Sequence, residues 1–130
     1  ITIDNIFEIK NENFIAATYF QPRGEKLTNI SMTEFPIKEL AEFIAKVHHH
    51  GFFFKEIKLR DIYYLNNNFT IANPENIRAK KKPVSYLERF INIQDLLNKL
   101  KLSQKNKTNF TKIYTSSAKL ESELSFTKLL

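Results

Sequence analysis

Residues 47–73 read VHHHGFFFKEIKLRDIYYLNNNFTIAN, and the order of signals inside them decides the fold. Val47 completes an apolar stripe of Ile37, Leu40, Ala41, Ile44 and Val47, spaced three and four apart, which predicts a helix. Gly51 follows as a natural helix stop. Further on, Ile62-Tyr63-Tyr64-Leu65, Asn66-Asn67-Asn68 and Phe69-Thr70-Ile71-Ala72 predict a β-hairpin, because Asn tolerates the left-handed backbone that tight turns need. Between helix and hairpin, Phe52, Phe53, Phe54 and Ile57 are interleaved with Lys55, Glu56, Lys58, Arg60 and Asp61. This predicts a loop anchored by its apolar side chains, with its charged side chains facing a site.

Working outward, residues 1–9 alternate partly between apolar and polar, Lys10-Asn11-Glu12-Asn13 makes a turn, and residues 14–20 form a mostly buried strand. Gln21-Pro22-Arg23-Gly24 punctuates the chain. Ser31 and Glu34 have capping-box spacing and Pro36 suits a first helical turn, so the long helix is expected within 31–51. Residues 78–83 form a basic loop. Ser85 and Glu88 make a second capping pattern, with a helix to about Leu102 whose Leu87, Phe90, Ile91 or Ile93, Leu97 and Leu100 face inward. Residues 103–108 read as a polar connection, and 110–114 and 118–130 as shorter helices. No internal repeat is present.

The 130 residues suit a single domain, with a hydrophobic fraction of 42% and twelve Phe to build one core. Two Gly and four Pro leave little low-complexity linker. The absence of Cys excludes disulfides and Cys-based zinc sites, and fits a reducing cytoplasm. No apolar run approaches the roughly 18 residues of a membrane span. Ile1-Thr2-Ile3 neither starts with Met nor looks like a signal peptide, which is the expectation for a piece of a longer chain. The net charge of +6 attracts phosphates, nucleic acid or anionic lipid, although lysines on a solvated surface produce the same figure. Basic charge with Phe and Tyr is raw material for nucleic-acid binding, but no helix-turn-helix, zinc-finger or RNA-recognition pattern appears, and the aromatics fall at core-like positions. His48, His49 and His50 point about 100° apart on a helix and cannot easily share one ion. His48 is expected to pack structurally at the helix end, and Phe52, Phe53 and Phe54 to anchor the core.

The order strand, strand, helix, polar loop, hairpin, basic loop, helix resembles the C-terminal lobe of a protein-kinase-like fold. Val47-His48-His49-His50-Gly51 looks like the H-x-x-G that ends the long helix of such lobes, and residues 54–62 fall where a kinase has its catalytic loop. Residues 71–78, the lysine run, Ser85 to Arg89 with Asn92, and the later Phe110 and Tyr114 are similar to the bacterial lipopolysaccharide-core kinases, which phosphorylate Kdo or heptose sugars. The resemblance covers most of residues 3–115. It implies an α+β fold, mainly helical: a kinase-like C-terminal lobe with a hinge-side strand pair at 1–22, the long helix at 31–51, a catalytic-loop and hairpin region at 52–78, and C-terminal helices at 84–130.

The same resemblance implies ATP and magnesium as cofactors. Glu56 stands at the position of the catalytic Asp, Lys58 near the transferring phosphate, Asp61 at the position of a metal-binding Asn, and Asn73 at that of the metal-binding Asp. Glu56 keeps the charge but adds a methylene, a displacement of roughly 1 Å, worth about 10²-fold in rate. Asp and Asn have exchanged places at 61 and 73, which detunes a magnesium site. No Gly-rich phosphate loop or strand lysine is present, so a separate N-terminal lobe is implied as a partner. The expected protein is a kinase-like enzyme with impaired or lost phosphoryl transfer; the alternative is a non-catalytic interaction scaffold. Its expected partners are a lipopolysaccharide-core sugar or anionic lipid, at the inner face of the bacterial inner membrane.

Overall fold

The helix drawn from the Ile37 to Val47 stripe, α1 (Ile37–His49), is the element against which the others pack. It turns Leu40, Ala41, Phe43, Ile44, Ala45, Val47 and His48 into the interior. It lies against both sheets and the last helix. Pro36 occupies its N-cap without a side-chain cap hydrogen bond; Glu34, half of the expected capping pair, lies outside the described residues. Its far end is set by Gly51, whose φ of +84° suits glycine and whose missing Cβ leaves room for the carbonyls of Lys80 and Lys82. The computed structural model describes residues 4–10, 13–19, 24–31, 35–72 and 74–118.

The chain is α+β, with three helices and two antiparallel sheets among the described residues. Strands β1 (Asp4–Lys10) and β2 (Asn13–Tyr19) form the expected N-terminal pair. They are not separate from the central hairpin. β3 (Glu25–Lys26), β5 (Ile62–Leu65) and β6 (Asn68–Ala72) join them in one sheet of order β2-β1-β6-β5-β3. The β5–β6 turn is the two-residue kind, with Asn66 and Asn67 at φ of 51° and 64°. Phe69 packs its ring between Phe43 of α1 and Tyr64 of β5, at centroid distances of 5.2 and 4.7 Å.

The second sheet corrects the loop expected at 52–61. Phe52–Phe54 is a strand, β4, pairing antiparallel with β7 (Ile77–Ala79) in the register Phe52↔Ala79 and Phe54↔Ile77. Arg78 therefore belongs to a strand, and the basic loop begins at Lys80. α2 (Tyr86–Leu100) starts as expected, with Ser85 Oγ accepting the Glu88 N–H at 3.3 Å. Of the expected inward face, Ile93, Leu97 and Leu100 are buried and Phe90 packs against the core, whereas Leu87 and Ile91 are exposed; Arg89, Asn92 and Leu96 are buried as well. α3 (Gln104–Ser117) is one helix capped by Ser103, replacing the polar connection and the short helix expected there. The helix expected at 118–130 lies almost wholly outside the described residues.

A polar network sits at the centre of this packing. His48 is fully buried; its Nδ1 lies 2.7 Å from Tyr114 Oη and its Nε2 3.0 Å from Asn92 Oδ1. Asn92 Nδ2 donates to the Phe54 carbonyl at 2.8 Å, and its Oδ1 also accepts the Phe54 N–H at 3.0 Å. With Oδ1 as acceptor, the hydrogen of a neutral His48 belongs on Nε2, so Nδ1 accepts from the Tyr114 hydroxyl. Arg89 donates to that hydroxyl at 3.3 Å and to the Val84 carbonyl at 2.8 Å. The Val84 N–H donates to the His48 carbonyl at 2.9 Å. Burial lowers the His48 pKa to about 3; the Asn92 hydrogen bond opposes this and the Arg89 charge adds to it. Burial also raises Tyr114 to about 12, against the pull of Arg89.

Two outcomes follow from this network. Truncating Asn92→Ala strands both backbone groups of Phe54 in the interior and should cost about 2–5 kcal/mol in urea unfolding. Between pH 6.5 and about 3 the unfolded His48 is protonated while the native one is not. The unfolded state then binds the extra proton, so stability falls as pH falls through this window, by at most about 1.4 kcal/mol per unit from this group. Urea titrations across the window should show a steeper acid loss in the native chain than in His48→Gln.

Candidate functional site

The segment between β4 and β5 carries the charged residues singled out above. Ile57 is fully buried and fastens its middle to the core. Its backbone is held as well: the Ile57 N–H donates to Asp95 Oδ2 at 3.2 Å, and Lys99 Nζ donates to the Ile57 carbonyl. Asp95 and Lys99 stand one turn apart on α2 and pair with each other at 3.3 Å. The Lys55 N–H donates to the Asn76 carbonyl at 2.8 Å, which closes the start of the segment onto the turn before β7. A 3₁₀ turn, Leu59–Asp61, closes its end, with the Asp61 N–H donating to the Lys58 carbonyl at 2.9 Å.

Held this way, Glu56, Lys58 and Asp61 line one notch, together with Ala72 and Asn76. Asn73, the fourth expected site residue, lies outside the described residues; Ala72 and Asn76 flank it in sequence. The three side chains differ in access. Asp61 is buried, Lys58 is half-buried and the Glu56 side chain is 61% exposed. The Glu56 carboxylate lies 3.7 Å from the Lys99 ammonium. The notch has room for about one water-sized body.

Phe54, Ile62, Ile71 and Ile77 complete the walls of the notch, which is mostly apolar with the charged residues at its edge. It fits magnesium only in part. Among the described residues no group of three His, Asp, Glu or Cys side chains could hold a metal ion. Magnesium favours octahedral oxygen donors and commonly takes several from phosphate and water, so Asp61 contributes one carboxylate and no resident site. Of the three histidines, His48 is consumed by the buried network and His49 is exposed, consistent with the expected structural part for His48. No described helix is long and apolar enough to cross a membrane.

Asp95 and Lys99 are the site residues that sequence reasoning missed. An acid and a lysine four apart on a helix read as a surface pair, and nothing local announces that they reach a loop 38 residues earlier. Arg89, Asn92, Phe110 and Tyr114, quoted above for the family resemblance, are all buried; Arg89, Asn92 and Tyr114 belong to the network behind β4. The chain matches no protein-family model, no curated protein and no solved structure.

If Asp95 fixes the loop, Asp95→Ala should speed hydrogen exchange at the Ile57 amide by about tenfold or more while exchange in α1 stays protected. Equal loosening of both segments would mean that the residue supports the whole fold instead of the loop.

Proposed function

We propose that the chain is a kinase-like lobe of the lipopolysaccharide-core sugar kinase kind whose phosphoryl transfer is impaired or lost. One observation carries the reading: Glu56, Lys58 and Asp61, the positions that the kinase resemblance implies, line one notch. The long helix before the loop, the hairpin after it and the antiparallel β4–β7 pair that closes it agree with such a lobe. In this reading Glu56 would accept the proton of a sugar hydroxyl as that oxygen attacks the terminal phosphorus of ATP and the bond to the ADP leaving group breaks, with Lys58 offsetting charge on the transferred group. Asp61 and Asn73 would supply the protein's oxygens for nucleotide-bound magnesium.

The impairment has three sources. Glu56 is longer than the Asp it replaces and is drawn toward Lys99. The notch is too small for a nucleotide as it stands. The metal positions offer one carboxylate and one neutral amide. The grip of Lys99 on Glu56 and on the Ile57 carbonyl also favours a second reading, in which the lobe serves as a non-catalytic scaffold with its loop locked shut.

Titration calorimetry with ATP, with and without magnesium, separates the two. The kinase-like reading expects weak, magnesium-dependent binding that strengthens about tenfold in Asn73→Asp, because a carboxylate replaces a neutral ligand. No heat in either form removes the nucleotide from the account and leaves the scaffold.

A further inference from the structure

The corner where α2 runs into α3 holds a cleft of about 140 Å³ that shares no residue with the notch. Gln94 and Asn98, one turn apart, line it from α2, and Gln104 and Lys107 line it from α3. Leu97, which is buried, adds an apolar patch. No carboxylate belongs to the lining. α3 has no acidic residue at all, so Lys107 finds no ion-pair partner three or four positions away on its own helix. Asp95, next to Gln94 on α2, is engaged by Lys99 and the Ile57 N–H. The Thr108 and Thr111 hydroxyls donate to the Gln104 and Lys107 carbonyls at 3.0 and 2.9 Å, so their protons are used within the helix. The half-buried Lys107 ammonium and the side-chain amides of Gln94, Asn98 and Gln104 pair with no described residue. One cation and three primary amides therefore share a cleft with their hydrogen-bonding capacity unused.

We infer that this cleft binds a small carboxylate that carries a second hydrogen-bonding group. One ammonium balances one negative charge, and a half-buried ammonium gains from a partner that replaces lost water. Each amide offers two N–H donors to carboxylate oxygens and one carbonyl that accepts from a hydroxyl or amide. Three amides exceed what a bare carboxylate uses, which is the reason for the second polar group. Leu97 suits a short carbon stem. A phosphate dianion fits less well, because no arginine lines the cleft to meet it with a bidentate fork. The volume falls below the roughly 300 Å³ at which pockets for drug-sized ligands begin, so the ligand has few heavy atoms. The inference is independent of the notch and of any kinase activity.

An NMR titration of the full chain with sodium glycolate, acetate, phosphate and chloride, at matched ionic strength, tests it. Glycolate carries a carboxylate and a hydroxyl. It should shift the side-chain amide signals of Gln94, Asn98 and Gln104 saturably, with a Kd on the order of 1 mM, as its few atoms support. Acetate, lacking the hydroxyl, should bind about threefold more weakly, and chloride should give no saturable shift. Lys107→Gln should weaken glycolate binding about tenfold. Lys105→Gln removes the same charge from an exposed position outside the lining and should leave binding unchanged. Asn98→Ala, also at an exposed position, should weaken it about threefold, and the backbone spectrum of each variant verifies its fold. No saturable shift with glycolate overturns the inference. So does tighter binding of phosphate, which would make the cleft a phosphate site. Equal weakening in both lysine variants would mean attraction to net charge alone and would overturn it too.

Discussion

The side-chain amide of Asn92 pairs with both backbone groups of Phe54, as a neighbouring strand would. β4 is three residues long and has β7 on one side, so its other edge would otherwise lie buried with unmet hydrogen bonds. Asn92 satisfies part of that edge from a helix. Its Oδ1 also meets His48, which fixes the imidazole tautomer and through it the Tyr114 hydroxyl. One amide thus ties α1, β4, α2 and α3 together at a single point. Such a network stabilises only when every member is satisfied, which is why burial keeps His48 neutral and Tyr114 protonated.

From that point the placement of the loop follows. Once Asn92 registers α2 against β4, Asp95 and Lys99, one and two turns further along, fall beside the backbone of Ile57. The notch is therefore assembled from behind, by helix side chains that take no part in lining it. The Lys99 ammonium that fixes the loop also lies 3.7 Å from the exposed Glu56 carboxylate. A residue that grips the backbone thus sets the charge beside the notch's exposed carboxylate.

What could be read from the chain divides by range. The Asn66-Asn67 turn and the Ser85 cap are written in a few adjacent residues, and both appear where expected. β4 and β7 are three residues each and find each other across the whole hairpin, so neither carries a periodic signal of its own. The face of α2 was legible in part. Ile93, Leu97, Leu100 and the partly buried Phe90 face the core as expected, but its buried side also includes Arg89 and Asn92, which apolar periodicity discards, and Leu87 faces out. α3 was missed over its first half because residues 104–109 are polar throughout and reach the core only at Phe110. At the site, Glu56, Lys58 and Asp61 came from the resemblance to a kinase catalytic loop and share one short segment, whereas Asp95 and Lys99 act only after the tertiary fold has formed.

α2 also works as a ruler. Its first two turns bear Leu87 and Ile91, and Asp95 follows Leu87 by eight residues. Eight residues of α-helix span about 12 Å and turn the side chain by about 80°. The loop contact of Asp95 is therefore offset about 12 Å along the helix axis from Leu87 and turned away from the exposed stripe. One rigid helix thus fixes how far the loop it holds lies from its own first turn.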